Sequence, residues 1–293
     1  MSRHTTGIIA VLAAALLWGT TGTAASLVPE VGALAIGSAA MGIGGLLQAL
    51  IALPSLRRSR RALTAQRGML ILGAVSVAIY PLAFYGSMRL GGVALGTVIS
   101  LASAPLLAAV MEAVLDHTRL RARWYVAAAL GIIGSILLCL PQGSDASPAG
   151  SHIPLGVILG LIAGATYAAY SYAVRRMMRD GIGRSASMGA VFGGGALLLI
   201  PVLLATGAPI LSGPAPLAVT AYMALIPMFL GYVLFGFGLA RIPASTATML
   251  TLSEPAIATV LAVLIVGEHI SPAGWLGLAI IGLSLLAEFV PRR

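Results

Sequence analysis

Apolar residues run along this chain in long blocks that are separated by short polar stretches. Each block is about as long as a helix that crosses the hydrocarbon core of a bilayer, roughly 18–25 residues. The predicted spans are 7–28, 31–53, 68–89, 93–115, 121–140, 154–175, 186–206, 215–239, 243–266 and 272–290. The pattern predicts an all-α polytopic membrane protein with ten transmembrane helices.

The polar connections between these blocks carry a charge bias that predicts their orientation. Every basic residue of the chain is an arginine, and with a cytoplasmic N-terminus only Arg89 falls on the outer side. Short loops that are rich in lysine and arginine tend to lie on the cytoplasmic side of a membrane. The bias therefore predicts a multi-pass protein of a bacterial-type inner membrane with both termini in the cytoplasm, which requires an even number of spans.

Composition agrees with a membrane protein and excludes several other classes. Hydrophobic residues make up 59% of the chain, charged residues 9%, and the mean hydropathy is +1.02. The net charge of +9 comes from arginines at span ends, without a basic face or zinc spacing, so we expect no nucleic-acid partner. The single cysteine, Cys139, offers neither a disulfide nor a metal site.

The two halves of the sequence resemble each other. "FYGSMRLGGVALGTVISLASAP" ends at Pro105 and "LFGFGLARIPASTATMLTLSEP" ends at Pro255, an offset of 150 residues. A second copy that follows five crossings has the opposite orientation, and inverted repeats are typical of transporters with a site at the membrane midplane. We predict five-helix repeats at 1–140 and 154–293, joined by an external linker at 141–153.

These residues resemble the drug/metabolite transporter superfamily, in its ten-helix group built from two EamA-type domains. The resemblance covers essentially the whole chain and depends on Trp18, the two proline segments and "SEPAIATVLAVLIVGEHISPAGWLGLAIIG" at 253–282. It implies export of small metabolites, often amino acids, and the chain looks most like the aromatic amino-acid exporters. The first half departs from the pattern, since Ala104 matches Glu254 and Asp116 begins "DH" where Gly-Glu is expected.

Prolines inside spans mark candidate hinges. Proline removes a backbone donor and displaces the carbonyl four residues earlier, which is Leu101 for Pro105 and Thr251 for Pro255. Bends at matching places of inverted copies suggest flexing, whereas the alternative is a fixed kink that only packs the bundle. Pro81 and Pro227 are expected to assist the bending.

Polar residues near the matched prolines are candidates for substrate binding. Thr248, Thr251 and Glu254 share one face of span 9, and Thr97 and Ser100 share a face of span 4. The freed carbonyl of Leu101 joins this set. The alternative for the hydroxyls is a hydrogen bond to a carbonyl of their own helix.

Glu254 and the aromatic residues carry the strongest functional prediction. An ionised carboxylate at span centre costs roughly 3 kcal/mol, so Glu254 is predicted to bind a substrate ammonium, carry a coupling proton or hold a structural hydrogen bond. Aromatic side chains of spans 1, 3 and 6 predict a pocket with π surfaces, against the alternative of helix packing. They are Trp18, Tyr80, Phe84, Tyr85, Tyr167 and Tyr170.

Other functions and sites were weighed against a carrier. An intramembrane enzyme needs paired acids, a nucleophile with a base, or metal ligands within the spans, and we predict neither catalytic residues, metal nor cofactor. An exporter of organic cations or drugs is the alternative to amino-acid export. Glu112, with Asp116 one turn further on, could reach the arginines of the adjoining loop and is predicted to be an interfacial ion-pair or gate residue. We expect a monomer in the lipid bilayer that takes a small-molecule substrate.

Overall fold

The computed structural model describes residues 2–138, 152–261, 263–264 and 271–289. Cys139, most of the predicted linker and the end of the predicted ninth span lie outside the described residues. Within these ranges every regular element is a helix. The all-α prediction is confirmed for this part of the chain.

The first half of the chain forms seven helices. They are α1 (Arg3–Gly19), α2 (Thr21–Ser26), α3 (Ala33–Arg58), α4 (Arg60–Ala65), α5 (Arg67–Gly91), α6 (Val93–Leu115) and α7 (Ala122–Leu138). α2 and α4 are single short turns of helix beside the long ones. Pro81 and Pro105 lie inside α5 and α6, and neither proline interrupts its helix.

The second half forms the remaining helices. They are α8 (Ile153–Arg179), α9 (Arg184–Thr206), a 3₁₀ turn (Ala208–Leu211), α10 (Pro214–Met223), a π-helical segment (Ala224–Leu230), α11 (Gly231–Leu239), α12 (Ala244–Leu250), α13 (Ser253–Leu261) and α14 (Pro272–Phe289). The π-helical segment joins α10 to α11 into one continuous rod that contains Pro227.

Length and hydropathy identify the elements that can cross a membrane. Seven helical stretches are long and apolar enough, and two further apolar helices, Ala122–Leu138 and Pro272–Leu286, are shorter. Many of their large apolar side chains face outward, as expected where lipid replaces water as the solvent. The protein is therefore a multi-pass membrane protein.

The predicted ninth span is two short helices rather than one bent helix. The chain turns at Thr251 and Leu252, and Pro255 lies in the first turn of α13. A proline costs little there because the first N–H groups of a helix have no partner within it. The Thr251 carbonyl, which the proline was predicted to free, accepts the N–H of Glu254 at 2.9 Å. The predicted ninth span is therefore broken rather than one continuous helix, and flexing at Pro255 stays a prediction.

The helices of the two halves are interleaved, and the halves do not form two separate bundles. α3 lies along α9, α5 along α8, α7 along α14, and α1 along α11 and α13. α6 contacts both α8 and α12. The main helical contacts thus join a helix of one half to a helix of the other, and the core of the bundle is shared between them.

Glycines bring α3 and α9 into direct backbone contact. A Cβ atom added to Gly45 would lie 2.5 Å from the carbonyl oxygen of Phe192, and one added to Gly193 would lie 2.6 Å from Cβ of Ala49. Small residues allow helices to approach closely where lipid gives no hydrophobic drive for association. Gly156, Gly160 and Gly164 form a similar face on α8, and they contact α5 and α6.

Gly45→Ala should lower the thermal midpoint of the protein in detergent. The new methyl group meets a backbone carbonyl that has no rotamer to change, so the helices must separate, at a cost of about 1–3 kcal/mol. The matched control is Gly42→Ala on the same helix, where the nearest atom is Leu199 Cβ at 3.9 Å. Equal midpoints for the two variants would contradict the packing argument.

One end of the bundle collects the arginines and is called the arginine-rich end below. It comprises the end of α3, α4, the start of α5, the end of α6, the α8–α9 connection and the end of α11. Hydrogen bonds of Gln66 and Asp116 to residues of α8 and its C-cap hold these segments together. Trp18 lies fifteen residues along α1 from Arg3, about 22 Å from this end.

Candidate functional site

A cavity lies between the two halves, on the side of the bundle away from the arginine-rich end. The centre of a water-sized molecule can occupy about 50 Å³ of it, and the space between the atoms is about 540 Å³ when the open solvent at its mouth is included. The lining residues are Trp18, Thr21, Gly37, Ala40, Met41, Tyr80, Pro81, Phe84, Tyr85, Tyr167, Met228, Tyr232 and Glu254. Six of the twelve residues predicted to bind substrate therefore line one cavity.

Aromatic rings form most of the cavity wall. Tyr80 stacks on Phe84 with ring centroids 5.6 Å apart, and Tyr80 lies 5.4 Å from Tyr167. On the opposite side, Trp18 lies 4.8 Å from Tyr232. These spacings are those of mutually supporting aromatic pairs. The rings present π faces to any molecule in the cavity.

The indole of Trp18 is fixed by a bond to an irregular stretch of helix. Its Nε1–H donates to the carbonyl of Pro227 at 2.9 Å, and the ring is 5% exposed. Pro227 lies in the π-helical segment between α10 and α11. The predicted hinge at Pro227 thus coincides with a π-helical segment whose carbonyl holds a cavity residue.

Two tyrosine hydroxyls of α8 connect this helix to other helices of the second half. Tyr167 donates to Oγ1 of Thr251 at 3.0 Å, at the break between α12 and α13. The hydroxyls of Tyr170 and Tyr232 share a hydrogen bond of 3.0 Å. Buried phenols need such partners. The bonds orient the ring of Tyr167 and the ring of Tyr232 toward the cavity.

Glu254 is the acidic residue of the cavity wall. It lies in the first turn of α13, where the helix dipole favours a carboxylate. It interacts electrostatically with Tyr80, Tyr85 and Tyr232 but forms no ion pair within the described part of the chain. The helix break therefore places an unpaired, half-buried carboxylate against aromatic faces.

Small residues of α3 keep the cavity open on the remaining side. A Cβ atom added to Gly37 would lie 2.5 Å from the ring of Tyr85. The ring of Tyr85 consequently sits directly on the α3 backbone, with Ala40 and Met41 one turn further. A larger residue at position 37 would push the Tyr85 ring into the cavity.

The hydroxyl stripe predicted on span 4 does not line this cavity. The face of α6 that carries Ser100 and Ser103 packs against the backbone of Gly164 on α8. Ser103 donates to the Ile99 carbonyl of its own helix at 2.6 Å, which is the alternative considered for the hydroxyls. Substrate contact by Thr97, Ser100 and Leu101 stays a prediction.

The remaining predicted residues lie behind the cavity wall. Tyr170 and Thr248 are fully buried, and Thr248 donates to the Ala244 carbonyl of its own helix at 2.9 Å. Thr251 reaches the cavity only through Tyr167. Among the predicted hinges, Pro81 lines the cavity, while Pro105 and Pro255 do not.

Several lining residues were not predicted from the sequence. Tyr232 is the most important of them, because it contacts Trp18 and shares a hydrogen bond with Tyr170. The rule applied to Tyr167, that a tyrosine away from the membrane interfaces needs a polar partner, would have identified it. Thr21, Gly37, Ala40, Met41 and Met228 carry no comparable signal.

Polar contacts close the arginine-rich end between the halves. The Asp116 carboxylate, at the end of α6, forms ion pairs with Arg176 and Arg179 of α8 and accepts the Tyr172 hydroxyl at 3.0 Å. Its side chain is 2% exposed. This ion pair joins the first half to the second, and it is made by Asp116 with arginines of α8 rather than by Glu112 with arginines of the adjoining loop.

Glu112 makes a second connection one turn earlier on α6. Its carboxylate accepts the N–H of Ala244 at 2.7 Å and the hydroxyl of Ser245. Both donors are in the first turn of α12, which has no capping side chain of its own. Glu112 thus caps a helix of the other half, with hydrogen bonds rather than with the ion pair that was predicted.

A bundle of apolar helices that encloses a cavity between two halves is the architecture of membrane transport proteins. The model of the EamA-like transporter family matches residues 5–140 and 154–287, and the chain belongs to this family. The predicted drug/metabolite transporter resemblance is confirmed at this level. The family is one of transporters, not of enzymes.

Relatives in two bacteria carry the same general description. The uncharacterized transporter YwfM of Bacillus subtilis (strain 168) is 36% identical over 285 residues, covering 97% of this chain and 94% of that protein. An uncharacterized transporter of Clostridium kluyveri is 27% identical over 166 residues, which is 56% of this chain and 53% of its own length. Neither description specifies a substrate.

A solved structure shares the fold. A crystal structure of another protein superposes with a TM-score of 0.81 and covers 98% of this chain and 97% of its own. The identity between the two chains is 19%, so the likeness concerns the fold alone.

Proposed function

We propose that the protein is a carrier that exports small organic molecules with a positively charged nitrogen and an aromatic or apolar body, by alternating access. The observation that carries this proposal is the cavity, in which aromatic rings surround the unpaired carboxylate of Glu254. Carboxylates bind ammonium groups, and aromatic faces attract cations. A carboxylate within a membrane is energetically costly, and residues of this kind typically belong to substrate or ion pathways.

The proposed architecture is ten membrane passes in two inverted five-helix halves. Seven long helices, the two shorter apolar helices and the α12–α13 pair give this number. The packing supports inversion, because α5 pairs with α8 as α11 pairs with α1, while α3 pairs with α9 and α7 with α14. A twofold axis in the membrane plane would produce such pairs.

The polar contacts at the arginine-rich end support alternating access. Asp116 and Glu112 join the halves there, while Thr21, Tyr80 and Tyr85 on the other side are half-buried and reach the cavity. With the arginine-rich end in the cytoplasm of an inner-membrane protein, this is the state closed to the cytoplasm. The state that loads substrate requires these contacts to break.

Neutral amino acids, aromatic ones first, are the natural substrates that we propose on the family resemblance. Their ammonium group would meet Glu254 and their side chain the rings of Trp18 and Tyr80. A specific observation favours organic cations as a second candidate. Among the described residues, those that line the cavity include no arginine, lysine or histidine, so an amino-acid carboxylate would depend there on phenol and threonine hydroxyls.

A substrate panel in proteoliposomes tests this function. We expect compounds with a positive nitrogen and an apolar body to be transported, and aromatic acids without an amine to be ignored. Transport confined to tetraalkylammonium ions would overturn the amino-acid assignment. Transport of the amine-free acids would contradict the proposed site itself.

Substrate binding is followed separately from transport by the fluorescence of Trp18. Trp124 and Trp275 lie outside the cavity, so a Trp124→Phe, Trp275→Phe background leaves Trp18 as the reporter. Transported compounds should change its emission at saturating concentration. A transported compound that leaves the emission unchanged would place the site elsewhere.

A further inference from the structure

A second, smaller cleft opens at the arginine-rich end, away from the central cavity. It lies between α3, α9 and α11, and the space between its atoms is about 310 Å³ when the open solvent at its mouth is included. Its wall combines polar groups with apolar ones. Arg184, Ser185 and Gln48 provide the polar side, and Ile51, Met188 and Val233 the apolar side.

Arg184 has no acidic partner in the described part of the chain. The charged group that influences it is another cation, Arg241. Both guanidinium groups lie over the ring of Phe237, at 5.1 Å and 3.3 Å from its centroid. Two neighbouring cations without a carboxylate between them leave positive charge uncompensated at the cleft.

The N-terminus of α9 adds backbone donors on the same side. Arg184 and Ser185 are the first residues of this helix of 23 residues, and its N-cap, Gly183, has no side chain to accept their N–H groups. The first turn contains no acidic residue. Free N–H groups and the helix dipole favour an anion at this place.

Gln48 gives an independent indication of a ligand. Its side chain is 2% exposed, and its Nε2 atom has no hydrogen-bond partner. An unsatisfied buried amide costs about 1–3 kcal/mol, which a bound acceptor oxygen would remove. Gln48 lines the cleft one turn of α3 before Ile51, below Arg184 and Ser185.

The cleft lies at the boundary between the arginine-rich end and the lipid-facing surface. Arg184 begins a candidate membrane span, and Ile51 is 56% exposed on α3. We propose that the cleft binds the headgroup phosphate of an anionic phospholipid. Arg184, the α9 N-terminus and Gln48 contact the phosphodiester, and the apolar residues contact the start of an acyl chain. Basic pockets between transmembrane helices bind such headgroups.

Lipid retention measured by native mass spectrometry tests this site without any transport assay. The purified protein is offered phosphatidylglycerol and phosphatidylcholine in equal amounts, and retention of phosphatidylglycerol should dominate. Arg184→Gln should reduce that preference about fivefold. The matched control is Arg58→Gln, an exposed arginine at the same end, which should leave the preference within about twofold.

A second variant keeps the test independent of folding defects. Gln48→Met removes the amide at similar volume and no existing hydrogen bond, so it should fold and still lose part of the preference. Inorganic phosphate is the third arm, and it should not displace the lipid at millimolar concentration. Displacement by free phosphate, or unchanged preference in both the Arg184 and Gln48 variants, would overturn the proposal.

Discussion

Glu254→Gln should abolish most substrate binding while leaving the protein folded. A hydrogen bond to a charged group contributes about 1.5–3 kcal/mol, so we expect binding of cationic substrates to weaken about 10- to 100-fold. The empty protein loses a carboxylate that has no ion-pair partner within the described residues. Its thermal midpoint should therefore stay the same or rise. Trp18 fluorescence titration and thermal unfolding measure the two quantities.

This pair of measurements separates a binding role for Glu254 from a structural one. If Glu254 instead stabilised the conformation of the α12–α13 break, its substitution would lower the thermal midpoint. Binding would then fall only as far as the folded fraction falls. Glu30→Gln is the matched control, because Glu30 is exposed and does not line the cavity. A role of Glu254 in proton coupling is tested by transport itself. If the Glu254→Gln variant transports at the same rate and with the same pH dependence as the unmodified protein, that role is excluded.

Asp116→Asn should shift the protein toward the state that is open at the arginine-rich end. The carboxylate is buried and receives Arg176, Arg179 and the Tyr172 hydroxyl. Because both arginines are partly exposed, we expect the closed state to lose about 1–2 kcal/mol of stability. This changes the ratio of the open to the closed state about five- to thirtyfold. Spin labels at Thr118 and Gly183, on a Cys139→Ser background, should show a new population at longer distance.

The control for this experiment changes the same charge at the same end. Asp180→Asn removes a carboxylate that is 37% exposed, pairs with Arg176 of its own segment and accepts a hydrogen bond of 3.2 Å from Gln66 of the first half. The asparagine oxygen can still accept the bond from Gln66, so the distance distribution should stay unchanged. A shift of equal size in both variants would mean that net charge, not the contact between the halves, sets the equilibrium. A lower thermal midpoint without any shift would make Asp116 a structural residue only.

The helical elements followed from the sequence because lipid imposes a simple rule on them. A span must satisfy its backbone internally, so length and hydropathy located α3, α5 and α6 to within five residues at either end. The break in the ninth span did not follow from this rule. Hydropathy is continuous through Thr251, and the turn depends on tertiary bonds such as the one from Tyr167.

The candidate site was predictable only where a residue type is unusual at membrane depth. Glu254, Trp18 and Tyr167 stood out for this reason and line the cavity or its rim. Hydroxyl residues carried less information, because the hydroxyls of Thr248 and Ser103 donate to backbone carbonyls of their own helices. The contribution of Gly37 could not be predicted from the sequence, because it depends on where the ring of Tyr85 lies in the folded protein.

The interleaving of the two halves has a consequence for how the chain is made. While only the first half has left the ribosome, the glycine face of α3 and the face of α5 that will meet α8 have no partner. The first half therefore lacks most of its helix contacts until α8 and α9 are inserted, although α5 already meets α3 and α6 within it. Pairings between distant parts of a chain are slow to form. Assembly of this protein is accordingly a late event, and shortened chains that end before α8 are natural targets for membrane quality control.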